Sequence, residues 1–170
     1  YGLGRDAFAA VTKARLRVAQ AIGALPEEIV FTSGGTESDN FAIKGIAFTA
    51  EEPGHVITTT IEHSAVRETC EFLEQAGWEV TYLPVDRDGL VDPAELERAL
   101  TPKTKLISVM AANNEIGVIE PIKEISAIAK ARGIPFHVDA VQAVGTLAVN
   151  VDEWGVDLMA MSGHKIYGPK

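Results

Sequence analysis

The chain has 170 residues, 46% of them hydrophobic and 23% charged, which is enough apolar material for one buried core in a globular domain. Fifteen Lys and Arg against 24 Asp and Glu leave a net charge of -9, so a broad cationic surface for nucleic acid is excluded and an anionic ligand needs a local pocket. One cysteine, Cys70, excludes an intrachain disulfide and a multi-cysteine metal site and fits a reducing, cytoplasmic setting; apolar runs such as 41–50, broken by Lys44, are too short to span a bilayer.

Apolar residues at Phe8, Val11, Leu16, Val18, Ala19 and Ile22 predict an amphipathic helix over 6–22, closed by Gly23 as a C-cap. A strand is expected over 28–32, and the turn Ser33-Gly34-Gly35-Thr36 then opens a helix to about Phe48. The alternation continues with strands over 56–60, 79–83, 105–111, 135–139 and 157–161 and helices over 65–76, 93–100 and 122–132. Short β-branched runs alternating with helices predict βαβ units: an α/β fold with a mostly parallel sheet and helices on both faces, in one domain without linker or repeat. The chain opens on Tyr1 and stops at Lys170 directly after Gly-Pro, and both ends read as cuts.

Ligands in such sheets sit beyond the carboxyl ends of the strands, and here those loops are polar: Ser33 to Thr36, Glu62-His63, Asn113-Asn114-Glu115, Asp139 with Gln142, and Ser162-Gly163-His164-Lys165. Gly34-Gly35-Thr36 at a helix N-terminus offers free N–H groups, a hydroxyl and the positive end of a dipole, which suits a phosphate; a plain glycine turn with Thr36 as N-cap is the alternative. The Walker spacing is absent. Asp139 follows apolar strand residues, so its carboxylate needs either a cationic partner, such as a protonated pyridine nitrogen, or a turn to cap. Lys165 stands among Ser162 and His164, and a lysine held among phosphate-binding donors can form a Schiff base with an aldehyde cofactor.

Together these segments resemble the group I (NifS/IscS-like) cysteine desulfurases, class V aminotransferase-family members of the fold-type-I pyridoxal-phosphate (PLP) enzymes. The resemblance rests on 32–40 (TSGGTESDN), Glu62-His63 with Ala65-Val66, 113–117 (NNEIG), 137–140 (HVDA) with Gln142, and 162–170, in this order over nearly the whole chain. It implies that the chain is part of a large PLP-binding domain, that Lys165 carries PLP, and that Asp139 pairs with its ring nitrogen. It further implies that His63 stacks on the ring and assists proton transfer, that Gln142 and Asn114 contact the phenolic oxygen or the substrate, and that Gly35, Thr36, Ser162 and His164 hold the phosphate. The implied reaction turns L-cysteine into L-alanine and passes sulfur to an enzyme cysteine, then to an acceptor protein in iron–sulfur assembly or tRNA thiolation, in a homodimer.

The implied nucleophilic cysteine and the arginine for the substrate carboxylate belong to a C-terminal half that these residues do not contain. Cys70 shares a helical face with Val66 and Leu73, which predicts packing. Two positions depart from the family pattern: Tyr1 stands where many relatives have histidine, and Gly35 where alanine is common. Rival readings are a selenocysteine lyase or another aminotransferase-type enzyme, a non-catalytic scaffold, and a metal site from His63, His137, Asp139 and His164, whose spacing fits no ligand motif.

Overall fold

The computed structural model describes residues 2–168; Tyr1 and the last two residues of the 162–170 motif lie outside them. Helix α1 (Gly2–Ile22) begins four residues earlier than its periodicity predicts and is closed by Gly23 at φ 74, with Ala24 N–H returning to the Ala19 carbonyl at 2.9 Å. Only its last turns pack, through Ala19 and Ile22. Phe8, Val11 and Leu16, the residues that gave the helix its apolar stripe, stay exposed.

The expected strand over 28–32 does not form. Pro26–Glu28 is a 3-10 turn, and the following residues run extended without entering a ladder. The cause is a missing neighbour: a cleft separates Ile29, Val30 and Phe31 from the edge of the sheet at Leu158 and Met159, and the Ile29 carbonyl is taken instead by the Arg15 guanidinium. Val30 and Phe31 are left exposed, which β-propensity alone could not foresee.

Helix α2 (Gly35–Thr49) leads into β1 (His55–Thr59), α3 (Ser64–Gln75), β2 (Glu79–Leu83), α4 (Pro93–Ala99), β3 (Thr104–Met110), α5 (Ile122–Ala131) and β4 (Phe136–Asp139). The short helix α6 (Val151–Trp154), β5 (Leu158–Ala160) and a 3-10 turn (Gly163–Ile166) follow. The five strands form one parallel sheet in the order β2-β1-β3-β4-β5. The mostly parallel α/β class is therefore correct. Neither α6 nor the last 3-10 turn was foreseen, although α6 has a full local signature: Asn150 accepts N–H bonds from Asp152 and Glu153 at 3.0 Å, and Gly155 ends it at φ 65.

Strand alternation divides the core between the two faces of the sheet. Ile57, Ile107, Phe136 and Val138 pack with Leu96 of α4 and Ile125 of α5, whereas Val56 and Leu106 pack with Ile43 of α2 and Val66, Cys70 and Leu73 of α3. Moving along the second face towards the carboxyl ends, side chains turn polar while staying buried: Thr58, Ser108 and His137, then Asp139. The chain order reverses between β1 and β3, and a parallel sheet opens its ligand crevice at such a reversal. The loops after β1 and β3 flank that point.

Candidate active site

Helix α2 starts on a backbone only glycine adopts readily. Gly34 is its N-cap, at φ 155 and ψ -177, which replaces the reading of Thr36 as N-cap: Thr36 is the second helical residue and half-buried. The N–H groups of Gly35, Thr36 and Glu37 precede the first helical bond, from Ser38 N–H to the Gly34 carbonyl at 3.0 Å, and so point outward at the positive end of the helix. The turn is braced by Thr32 and Ser38, whose hydroxyls meet at 2.7 Å. A Cβ on Gly35 would lie 2.8 Å from Val141 Cγ2 and 3.7 Å from Ser162 Cβ. The absence of a side chain there lets the α2 terminus close on the turn after β4 and on the end of β5.

Ser162, buried at that end, bonds through Oγ to His164 Nδ1 at 2.7 Å. Gly35, Thr36, Ser162 and His164 thus line one side of a cleft of about 890 Å³ that continues along the edge of β5. Lys165 is exposed on the 3-10 turn, its N–H donating to the Ser162 carbonyl at 3.2 Å.

Asp139 ends the buried strand β4, with 5% of its surface exposed, and its Oδ1 accepts the Val141 N–H at 2.9 Å. It makes no ion pair with a lysine or arginine among the described residues. Burial pushes its carboxyl above the ordinary range, against the Val141 bond and the nearby His63. His63 caps α3, its Nδ1 accepting the Ala65 N–H at 3.1 Å, and its ring is exposed. Gln142 is half-buried in the turn after β4.

In the loop after β3 the two asparagines divide the work. Asn113 is buried and structural, donating to the Ile61 carbonyl at 2.8 Å and accepting from Glu115 and Ile116 N–H. Asn114 is exposed.

Sequence reasoning missed the buried charges behind Asp139. Glu62 accepts from Thr59 Oγ1 at 2.7 Å and Met110 N–H at 2.9 Å, leaves Oε2 without a partner, and is pushed up to about 8, chiefly by burial. Asp39 on α2 is pushed up to about 8 by burial and by Asp139 and Glu62. His137, wholly enclosed, is pulled down to about 4 by burial. A signal for Asp39 was available: it lies on the stripe of Ile43 and Ala47, at i, i+4 and i+8, where an amphipathic helix buries its face. The three histidines of the metal reading are engaged separately, His137 with Ser108 and Asp39, His63 as a helix cap and His164 with Ser162.

A parallel α/β sheet that presents an open helix N-terminus and, at its ligand edge, a buried carboxyl without a cationic partner among the described residues is chemically suited to a ligand with a phosphate and a cationic ring. The chain belongs to the class V aminotransferase family, whose model matches residues 1–170. It is 60% identical to the cysteine desulfurase IscS of Dictyoglomus turgidum over 168 residues, 98% of this chain and 43% of that protein. It is 54% identical to the mitochondrial cysteine desulfurase of Arabidopsis thaliana over 98% of this chain and 37% of that one. Among solved structures, SspA in complex with cysteine superposes with a TM-score of 0.98 at 46% identity, over all of this chain and 49% of that one, and a NifS-like protein at 0.97 and 42%, over all of this chain and 47% of that one. The chain spans less than half the length of these relatives.

Class V aminotransferases and cysteine desulfurases are PLP-dependent, and the residues present fit that cofactor. The Asp139 carboxyl, which caps the turn through Val141 N–H but has no cationic partner among the described side chains, suits a ring N–H; the α2 terminus with Ser162 and His164 suits a phosphate, and Lys165 provides an accessible amine.

The raised acids fix a pH dependence for the cofactor-free fold. A carboxyl whose folded pKa exceeds its unfolded value stabilises fully below the unfolded pKa and loses that contribution as pH rises through the folded one. For Glu62 that window runs from 4.5 to about 8. His137 acts oppositely but only between 6.5 and about 4. Denaturant unfolding should therefore show stability falling from about pH 6.5 to 8, and Glu62→Gln should flatten the slope. An unchanged slope in that variant would contradict the burial of a neutral Glu62.

Proposed function

We propose that this chain is the cofactor-binding portion of a PLP-dependent cysteine desulfurase. The observation that carries the reading is the buried Asp139 carboxyl, without an ion-pair partner among the described residues, set at the ligand edge of the sheet beside a helix N-terminus open to a phosphate. The similarity to cysteine desulfurases over 98% of the chain supports the substrate and the reaction.

In this function PLP supplies the electron sink that lets an amino acid lose its α-proton. Asp139 holds the ring nitrogen protonated and so keeps the sink effective. Gly35, Thr36, Ser162 and His164 bind the phosphate through N–H, hydroxyl and imidazole donors and fix the cofactor's depth. Lys165 would anchor the cofactor through its amine, and the same amine would serve as the base that moves the α-proton. His63 would stack on the ring and assist proton transfer, while Gln142 and Asn114 would orient the phenolic oxygen and the substrate.

Sulfur leaves L-cysteine by attack of a thiolate on the substrate sulfur: an S–S bond forms, the C–S bond breaks, and the carbon is protonated to L-alanine. Cys70 does not supply that thiolate, since it is fully buried and its thiol is pushed up to about 12 by burial and neighbouring glutamates. On this reading the nucleophile, the arginine for the substrate carboxylate and a small domain belong to other parts of the protein, and residues 1–170 are part of its large domain. The same reading assigns L-cysteine as substrate, an acceptor protein in iron–sulfur assembly or tRNA thiolation, a homodimer, and a cytoplasmic setting. No helix among the described residues is long and apolar enough to cross a membrane.

In the protein that carries this chain, Lys165→Ala should lower alanine formation from L-cysteine by at least about a thousandfold, and borohydride should no longer fix the cofactor to the chain. Mapping of the reduced cofactor to Lys170 or another lysine would overturn the assignment. Cys70→Ser should keep alanine formation within about threefold of the parent, because only packing changes; its loss would place the nucleophile at Cys70 after all.

A further inference from the structure

Behind Asp139 lies a line of polar side chains that the cofactor roles do not use. Ser108 Oγ and His137 Nδ1 are 2.8 Å apart, and His137 Nε2 stands 3.5 Å from Asp39 Oδ1. Ser108 and His137 are 0% exposed and Asp39 1%. His137 Nε2 and Asp39 Oδ1 face each other at that distance, and neither makes a hydrogen bond to any group, the other included. The order Ser, His, Asp is that of a hydrolase triad, but a hydroxyl with no exposed surface cannot reach a substrate, so nucleophilic work is excluded.

We propose that Asp39 is a positioning residue of the cofactor site: its carboxyl is a proton donor to His137 Nε2, so that Asp139 alone among the buried acids meets the ring as a carboxylate.

Two proton arrangements satisfy the distances. In one, Ser108 donates to Nδ1 and Nε2–H donates to an ionised Asp39. In the other, Asp39 is neutral and donates to Nε2, while Nδ1–H donates to Ser108. The surroundings decide between them. The titratable groups acting on Asp39 are Asp139 at the end of β4 and Glu62 after β1, both acids, and no lysine or arginine among the described residues pairs with it. A second carboxylate beside Asp139 in a dry interior would repel the first, and like charges sharing a site force one of them to keep its proton. Between Asp39 and Asp139, it is Asp139 that has a backbone donor, the Val141 N–H, and a nearby imidazole, His63, to favour its charge against burial. Asp39 is the member with a basic nitrogen facing it, and an orphaned acid and an orphaned imidazole nitrogen are satisfied together by one proton between them.

The consequence for the site is a charge match, and it rests on the PLP reading. One carboxylate meets one cationic ring, and the neutral Asp39–His137–Ser108 chain fixes the α2 helix against β4 beneath it. An ionised Asp39 would set a second negative charge there and leave the site over-attractive to cations.

The test uses the protein that carries this chain, with and without added PLP. In cofactor-free protein labelled with ¹⁵N-histidine, His137 should be neutral with its proton on Nδ1 from about pH 6 to 8, and the protonated-carboxyl infrared absorption should lose one component in Asp39→Asn while the Glu62 component, lost in Glu62→Gln, remains. The amide introduced by D39N can donate to Nε2 in the same geometry, so this variant should bind PLP within about threefold of the parent, whereas Asp39→Leu, which strands His137 Nε2, should bind at least about tenfold more weakly. A proton on His137 Nε2, an imidazolium, or protonated-carboxyl absorption that is unchanged in D39N would overturn the inference without involving the cofactor. Failure of the unmutated protein to take up PLP would instead overturn the cofactor reading, and with it the role of Asp39 under the ring.

Discussion

A carboxylate enclosed by protein is tolerated only if something positive or a sufficient set of hydrogen-bond donors meets it, and Asp139 has a single backbone N–H and a nearby imidazole. Much of the architecture around it serves to keep that charge unneutralised by the protein. β4 is central enough to be covered on both faces, α2 lies over its end, and the neighbouring acids Asp39 and Glu62 are buried deeply enough to stay protonated. On the proposed reading, a cationic ligand completes the electrostatics of this site.

The remaining donors are arranged by the same packing. Gly35 has no side chain where one would collide with Val141, so the α2 N-terminus, the turn after β4 and the end of β5 close together. That closure sets the open N–H groups of the helix beside Ser162 and His164. An alanine at this place would require the Val141 side chain to move. The loops after β1 and β3 meet the site from the other side because the chain order reverses between those strands.

Much of this is legible in the sequence for physical reasons. Strands β1 to β5 and helices α2 to α5 announce themselves through apolar period and flanking turns, within one or two residues of their ends. The stretch over 28–32 fails because a strand needs a neighbour, and no period in the sequence reports whether one is present. Helix α1 is a helix as its period says, but its stripe does not mark a covered face. The capping role of Gly34 is hidden because a φ of 155 leaves no trace beyond the glycine itself. Asp39, Glu62 and His137 are hidden for a different reason: their importance lies in mutual proximity across α2, the loop after β1 and β4, a property of three dimensions. Only the charge on the apolar stripe of α2 hints at it.

If Asp139 awaits a protonated ring nitrogen, removing that nitrogen from the cofactor must weaken binding through Asp139 alone. The direct measurement compares the affinity of the protein carrying this chain for PLP and for its analogue with carbon in place of the ring nitrogen, in the parent and in Asp139→Ala. The parent should bind the analogue at least about tenfold more weakly than PLP, because one ionic hydrogen bond is lost, and Asp139→Ala should no longer tell the two apart. Equal binding of the two by the parent would show that Asp139 meets no ring cation and would contradict this view of the site.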